Sequence, residues 1–481
     1  MRRRTKIVAT VGPASEAPET MRAMVAAGMD MARLSLAHGA LEETLDRLRA
    51  LRKIADEERT HLGVLADLPG PKIRASEFPE GGVHLAEGSE VVLAPSDRTD
   101  CSRPDRIAVD HPGLLSDLQT GDRVVLGDGA IQLVVRDIDT DAARAEILTG
   151  GWAQGRPGVA LPPGRFTGSS PTPDDLRLLA ALADAEVDAV AISFVRSAED
   201  VQRARAALRG AAPMLVAKVE TQEAVDDLDD IIETADGVMV ARGDLGIRCA
   251  LEDVPIYQKR IISRGVAYGR PVITATQMLE TMVRSPVPTR AEVSDVANAV
   301  FDGTSALMLS GETAVGVNPP NAVRTMSTIA VRAEREFDYE GWGRRLGRQQ
   351  SAQAHGAPVS IRITAAISAA AWRAAHDAEV SAIIACTNTG ATARAISRFR
   401  PTVPVLGVTP SLATARRLSV AWGITPVLAD WHGSTEDIVW FAVKAAAEAG
   451  VIRRGELVAV LVGSPTEPEQ VTDNLRLVRV Q

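Results

Sequence analysis

Two short apolar runs each end in a cation and a carboxylate separated by one residue: Met214-Leu215-Val216-Ala217-Lys218-Val219-Glu220 and Gly237-Val238-Met239-Val240-Ala241-Arg242-Gly243-Asp244. In an extended strand alternate side chains share a face, so Lys218 is expected beside Glu220, and Arg242 beside Asp244. Runs this apolar read as buried parallel strands, where charge is rarely kept without a partner or a task. Glu220 and Asp244 are oxygen donors of the kind Mg²⁺ takes, with phosphate and water completing its octahedron. The plainer alternative is two ion pairs in which Lys218 and Arg242 neutralise their neighbours. Isolated buried pairs seldom stabilise a fold, which favours the metal. Arg33, Arg74, Lys218 and Arg242 together suit an anion such as a phosphoryl group. Phosphoryl transfer needs chiefly positioning and charge stabilisation, which such cations and a divalent ion supply.

The elements that must position these residues alternate. Strand candidates at 6–12, 29–36, 62–68, 189–194, 214–220, 237–243, 271–276 and 305–310 are separated by helical stretches such as 41–58 and 255–268. Eight such units predict a (β/α)8 TIM barrel with its chemistry at the C-terminal ends of the strands. Arg33, Asp67, Ser193, Lys218, Glu220, Arg242, Asp244, Thr276 and Glu312 all fall at or just past such ends.

The alternation breaks at Pro69-Gly70-Pro71-Lys72-Ile73-Arg74. Short strand-like runs between turn residues then predict an inserted all-β lid domain, bounded by Pro/Gly-rich hinges. The polar segment 337–358 reads as a linker, and strands near 381–386, 403–408, 425–429 and 456–462 predict a C-terminal doubly wound α/β domain. The expected division is a barrel at 1–70 and 171–340, a lid at 71–170, and a C-terminal domain at 341–481.

At 481 residues the chain is too long for one ordinary core, and with 3% aromatics its cores must be built from Ala, Val, Leu and Ile. A net charge of −9 argues against nucleic-acid or anionic-membrane binding, so an anionic substrate needs local cations. Cys101, Cys249 and Cys386 are scattered without metal-type spacing and fit a reducing cytoplasm; all three are expected as small buried apolar residues. The segment after Arg2-Arg3-Arg4 is too short and polar for a signal peptide, and no apolar stretch approaches a membrane span. A soluble cytoplasmic protein is the expectation.

Longer motifs carry a resemblance. They are Thr5-Lys6-Ile7 with Gly12-Pro13-Ala14-Ser15, Ala217-Lys218-Val219-Glu220, Val240-Ala241-Arg242-Gly243-Asp244-Leu245-Gly246, Ala275-Thr276-Gln277-Met278-Leu279-Glu280-Thr281-Met282, Pro288-Thr289-Arg290-Ala291-Glu292, and Met308-Leu309-Ser310-Gly311-Glu312-Thr313. Together and in this order they resemble the pyruvate kinase family across nearly the whole chain. The resemblance implies transfer of the phosphoryl group of phosphoenolpyruvate to ADP, giving pyruvate and ATP, the last step of glycolysis. It implies Mg²⁺ or Mn²⁺ on Glu220 and Asp244, with Lys218 stabilising the transferring phosphoryl group and the enolate. Arg33 would bind phosphate, the backbone of Arg242-Gly243-Asp244 the substrate carboxylate, and Thr276 would lie near the carbon that is protonated. Arg74 falls on the nucleotide side at the lid hinge. His38 is set there with it, although a lone His beside Gly39 more often caps or packs locally. A cytoplasmic homotetramer under allosteric control is implied as well.

The chain departs from the family where most members hold K⁺. An Arg-x-Asn-x-Ser-His-Gly stretch is here Arg33-Leu34-Ser35-Leu36-Ala37-His38-Gly39, and an Asp-Thr pair is Asp67-Leu68. Ala37 and Leu68 offer no side-chain oxygen. Lys72 stands where K⁺-requiring members carry Glu, so a tethered ammonium is expected to replace the ion. Arg248-Cys249-Ala250 replaces a more usual acidic and apolar continuation. In the C-terminal domain Thr387, Thr389, Gly390 and Thr392 form a loop opening a helix, a candidate site for a phosphorylated effector or an ordinary helix cap. Two other readings share many of these residues: a low-activity paralogue that senses phosphometabolites, and a metal-dependent enzyme acting on C–C bonds of pyruvate or phosphoenolpyruvate. A lid with Arg74 on the nucleotide side argues against the last.

Overall fold

The computed structural model describes residues 3–37, 39–96, 100–127, 129, 131–162, 164–165, 168–208, 213–353, 358–431, 433–463 and 471–481. The chain begins with strands β1 Lys6–Thr10, β2 Met31–Ser35 and β3 Gly63–Asp67, separated by helices Pro18–Ala27 and Leu41–Glu57. Gly28 closes the first helix at φ 115°, a conformation that residues with a Cβ rarely adopt. The chain then leaves the barrel through β4 Val83–Leu85, β5 Glu90–Pro95, β6 Arg106–Val109, β7 Arg123–Leu126, β8 Ile131–Ile138, β9 Ala143–Thr149, β10 Gly151–Ala153 and β11 Val159–Ala160. β10 pairs with β4, and the other six form one sheet in the order β11-β7-β8-β9-β5-β6. These strands enclose their own core, centred on Leu93, Ile107, Leu133 and Ile147.

Barrel strands resume as β12 Ala189–Val195, β13 Met214–Val219, β14 Gly237–Ala241, β15 Val272–Ala275 and β16 Ala306–Leu309. The closed order is β1-β16-β15-β14-β13-β12-β3-β2, and its eight pairings are parallel. Val8, Met31, Leu65, Val216, Met239, Ile273 and Met308 fill the interior, while the opposite faces of the strands pack on the surrounding helices. An aliphatic interior of this kind follows from a chain poor in aromatics.

The two hinges of the lid are tied together at the barrel rim. Asp175, in the capping box that starts helix Pro173–Asp184, accepts from Gly70 N–H at 3.1 Å. Ser170 Oγ donates to Ser193 O at 2.7 Å.

The C-terminal sheet has strands β17 Ala382–Cys386, β18 Val405–Thr409, β19 Ile424–Leu428, β20 Leu457–Gly463 and β21 Thr472–Arg479, in the order β19-β18-β17-β20-β21. β21 is antiparallel to β20 and absent from the sequence reading. Its exposed residues are polar apart from Leu477.

Two expectations are corrected. The segment expected as a linker is largely helix Tyr339–Gln353, so the boundary expected between 340 and 341 falls inside it. Trp342 donates its Nε1–H to Arg398 O at 2.8 Å and Leu346 is buried, so a polar helix is held by a few anchors that composition alone does not reveal. Of the cysteines, Cys386 is buried, Cys249 half-buried and Cys101 exposed. Burial pushes the Cys386 thiol up to about 12.

Candidate functional site

At the C-terminal rim of the barrel, a network of charge forms around Lys218. Its ammonium lies 2.9 Å from Glu220 Oε1 and 3.3 Å from Asp67 Oδ1, and donates to Ser193 Oγ at 2.7 Å. Asp67 in turn accepts from Arg33 Nε at 2.7 Å, and Arg33 also donates to Thr10 Oγ1 at 3.0 Å. Three strand ends, β2, β3 and β13, are thus joined by one alternation of cation and carboxylate. Burial by itself would discharge Lys218, but Asp67 and Glu220 hold its ammonium above the usual lysine value. Burial likewise opposes the Asp67 carboxylate, and Lys218 and Arg33 overcome it, leaving Asp67 below its ordinary value.

Glu220 differs. Burial raises its carboxyl above the ordinary value; Lys218 works against that shift and the neighbouring charge of Asp244 adds to it. Oε2 accepts from Phe194 N–H at 2.7 Å, whereas Oε1 is ion-paired to Lys218 without an aligned hydrogen bond. Phe194 sits at φ 57°, where the β12–β13 register shifts, so a bulge aims its N–H at the carboxylate. A buried carboxylate oxygen with unclaimed lone pairs beside a second carboxylate fits a hard divalent cation. Among the described residues no group of three or more His, Cys, Asp or Glu forms a metal centre.

The second cation–carboxylate pair does not form as expected. β14 ends at Ala241, and Arg242–Arg248 is helical, so the alternation argument fails there. Arg242 turns away from Asp244: its guanidinium donates to Asp295 Oδ1 at 2.8 Å and Thr276 O at 2.7 Å. It therefore braces the loop after β15. Gly243 N–H donates to Thr276 Oγ1 at 2.8 Å, and that hydroxyl donates to Ala275 O at 2.7 Å. Thr276 and Gln277 lie at φ 67° and 52°, and strain of this kind on a β-branched residue persists only when its surroundings hold it. Glu312 holds it from the other side, accepting from Leu279 N–H at 3.0 Å and Ser310 N–H at 2.7 Å.

Asp244 is half-buried at the cleft beside the site, with Lys72 Nζ 4.0 Å from its Oδ1. Both line a cleft of about 270 Å³ between lid and barrel, with Arg74, Arg156, Gly158 and Arg248. Arg74 donates to Arg156 O at 3.3 Å, and Arg248 lies over the Phe194 ring at 4.7 Å. The segment after β11 is latched by Gly164 N–H donating to Glu223 Oε1 at 2.7 Å. Ser35 is half-buried, Ala37 exposed and Leu68 buried, and Leu68 O accepts from Ser193 Oγ. His38 lies outside the described residues.

The sequence reading gave no role to Ser193 or Arg248 within the site, and did not single out Asp295, Thr10 or Glu223. Only the placement of Ser193 at a strand end signalled it. The C-terminal loop uses its hydroxyls internally: Thr387 Oγ1 accepts from Gly390 N–H at 2.8 Å, and Thr392 Oγ1 meets Thr472 Oγ1 at 2.8 Å. Thr389 is exposed and does not cap the helix Ala391–Ser397, whose N-cap is Gly390 at φ 84°.

No helix among the described residues is long and apolar enough to cross a membrane. The pyruvate kinase barrel-domain family matches residues 2–323, and the pyruvate kinase alpha/beta-domain family matches 365–478. The chain is 39% identical over 483 residues to the pyruvate kinase of Bacillus licheniformis, covering 99% of this chain and 80% of that one. Over 480 and 479 residues it is also 39% identical to the pyruvate kinases of Staphylococcus haemolyticus and Staphylococcus aureus, with the same coverage. The first family match alone spans most of the chain, and the charge network sits at the barrel rim within it, so the chain belongs to the pyruvate kinase family.

Proposed function

We propose that this chain transfers the phosphoryl group of phosphoenolpyruvate to ADP with Lys218 as its central cation and without K⁺. The observation that carries the reading is the Lys218 ammonium, fixed by Asp67, Ser193 and Glu220. The bond between phosphorus and the enol oxygen breaks as a bond to a β-phosphate oxygen of ADP forms, and the enolate left behind takes a proton at carbon to become pyruvate. Lys218 and Arg33 meet the charge that moves from the phosphoryl group to the enolate oxygen, and both are already oriented by Asp67. Glu220 and Asp244 would hold Mg²⁺ or Mn²⁺, which supplies charge neutralisation across the phosphoryl oxygens. The backbone of Arg242-Gly243-Asp244 is assigned the substrate carboxylate, for which Gly243 N–H would leave the Thr276 hydroxyl it binds now, and Thr276 is assigned to the carbon that is protonated.

Arg74 and His38 are assigned to the nucleotide side, under a lid whose closure excludes water from a hydrolysable phosphoryl group. Lys72 takes the part of K⁺ as a tethered charge, supported by its approach to Asp244 and by the apolar side chains of Ala37 and Leu68. The division proposed is a barrel at 1–70 and 171–340, a lid at 71–170 and a C-terminal domain at 341–481, with the last boundary lying within helix Tyr339–Gln353. A cytoplasmic location fits its three free thiols. A homotetramer has apolar surface available at Val359, Ile361 and Leu477, and a phosphorylated effector would use the Thr387–Thr392 loop by way of the exposed Thr389.

Coupled detection of pyruvate formed from phosphoenolpyruvate and ADP tests this, with Lys218→Met as control and Mg²⁺ as the sole added activator. Turnover that depends on Lys218 and ignores K⁺ is expected. Equal activity in Lys218→Met, or phosphometabolite binding without turnover, would overturn the reading.

A further inference from the structure

At the opposite end of the barrel, where β15 and β16 begin, a cavity of about 20 Å³ is lined by Arg270, Arg394, Arg398, Arg400, Ser305 and Trp422 among others. The four arginines come from both sides of a domain boundary. Arg270 precedes β15, while the others lie on helix Ala391–Ser397 and the turn that follows it. No carboxylate lines the cavity among the described residues. The nearest acids are committed elsewhere. Asp236 binds Arg205 and Leu215 N–H, Glu334 accepts from the N–H groups of Arg4 and Thr5, and Glu233 offers Arg270 only its carbonyl.

Neutral oxygens supply what partners these guanidinia have. Arg398 donates to Ala267 O at 3.2 Å, Arg394 to Thr389 O at 3.2 Å, and Arg400 to Thr304 O at 3.2 Å. Arg400 is 2% exposed and its buried Nε has no hydrogen-bond partner among the described residues. Its backbone lies at φ 54° and its guanidinium stacks 4.3 Å from the Trp422 ring, so the side chain is held in place at some cost. Burial pulls Arg394 and Arg398 down to about 10 and Arg400 to about 9, and Asp236 at Arg394 and Tyr339 and Glu334 at Arg400 offset it only in part. All three guanidinia remain charged at neutral pH. Buried charge of one sign is costly unless something of the other sign joins it.

We propose that this cavity is an oxyanion site, which takes inorganic phosphate or the phosphate group of a phosphorylated metabolite between the barrel and the C-terminal domain. Guanidinium forks match the oxygens of a tetrahedral anion, and the space suits one compact ion or the phosphate end of a larger molecule rather than a nucleoside. The site is separate from the barrel mouth, since β15 and β16 run from the cavity toward Thr276 and Glu312. Arg394 also touches Thr389 O, which gives an occupant a contact with the C-terminal loop.

Inorganic phosphate titrated into the full chain against chloride at constant ionic strength, with tryptophan fluorescence as readout, tests this. The wild type and Lys218→Met should give the same saturable change, and Trp422→Phe should remove it. Arg394→Leu and Arg270→Leu should each raise the midpoint tenfold or more while keeping a cooperative melt in chloride. A hexose monophosphate titrated in parallel assigns the source: tighter binding than phosphate points to an ester, weaker binding to the free ion, and either supports the site. No saturable change, one that persists in Trp422→Phe, or midpoints within twofold of wild type in both arginine variants would overturn it.

Discussion

Lys218 Nζ stands 2.9 Å from Glu220 Oε1 as an ion pair without an aligned hydrogen bond, so a fully buried carboxylate oxygen keeps lone pairs for another partner. The same ammonium balances Asp67, which orients Arg33. One cation thus supports two carboxylates and, through them, the rest of the rim.

Lys218→Met should therefore damage both chemistry and fold. Loss of a preorganised charge at the reacting group predicts a fall in kcat of about 10² to 10³ or more. Leaving Asp67 and Glu220 buried without their shared partner should cost about 3 to 5 kcal/mol. The coupled assay and urea unfolding measure the two effects, and an unfolding curve like the wild type's would refute the structural half.

The two carboxylates should respond to pH in opposite senses. The lowered folded value of Asp67 gives stability that is present above its unfolded pKa of about 3.9 and lost as pH falls toward the folded value. The raised value of Glu220 favours its protonated form, so its contribution is full below about 4.3 and declines as pH climbs through the folded value. A bound divalent cation would reverse that decline. Mg²⁺ should raise Tm more at neutral pH than near pH 5, a chelator should cancel the gain, and Glu220→Gln should abolish it. An Mg²⁺ increment independent of pH and of Glu220 would count against the metal site.

Glu312 accepts from two backbone N–H groups and touches no proposed ligand. Glu312→Ala should destabilise the fold by about 2 to 6 kcal/mol, since each orphaned buried donor costs about 1 to 3. It should also lower kcat/KM by loosening the strained turn at Thr276. Glu312→Gln, which keeps an acceptor, should recover much of both. If Gln were as harmful as Ala, charge rather than hydrogen bonding would be the requirement.

Lys72 is well exposed, with 39% of its side chain accessible, and its approach to Asp244 is long at 4.0 Å. Lys72→Met should leave stability within about 0.5 kcal/mol. Turnover should nonetheless drop about tenfold or more if its charge serves the reaction. In the wild type, replacing Na⁺ by K⁺ at fixed ionic strength should change nothing. Strong K⁺ activation would remove the case for a tethered substitute.

Much of the architecture was legible because its signals are local. Eight apolar runs alternating with helical stretches predict the barrel, and Pro69-Gly70-Pro71 marks where the lid departs. The same locality misled at Arg242, where the strand stops at Ala241, two residues early, and a helix turns the guanidinium toward Asp295. It misled again at 339–353, where a polar composition conceals a helix anchored by Trp342.

By itself the sequence determined that Arg33, Asp67, Lys218 and Glu220 reach the barrel mouth, since strand direction settles which end of the barrel each takes. Tertiary structure alone decided their partners. Asp67 between Arg33 and Lys218, Phe194 N–H on Glu220, and four arginines around one acid-free cavity each join segments far apart in the chain. Charge acts through space and its strength depends on burial, and neither distance nor burial is written in the order of residues.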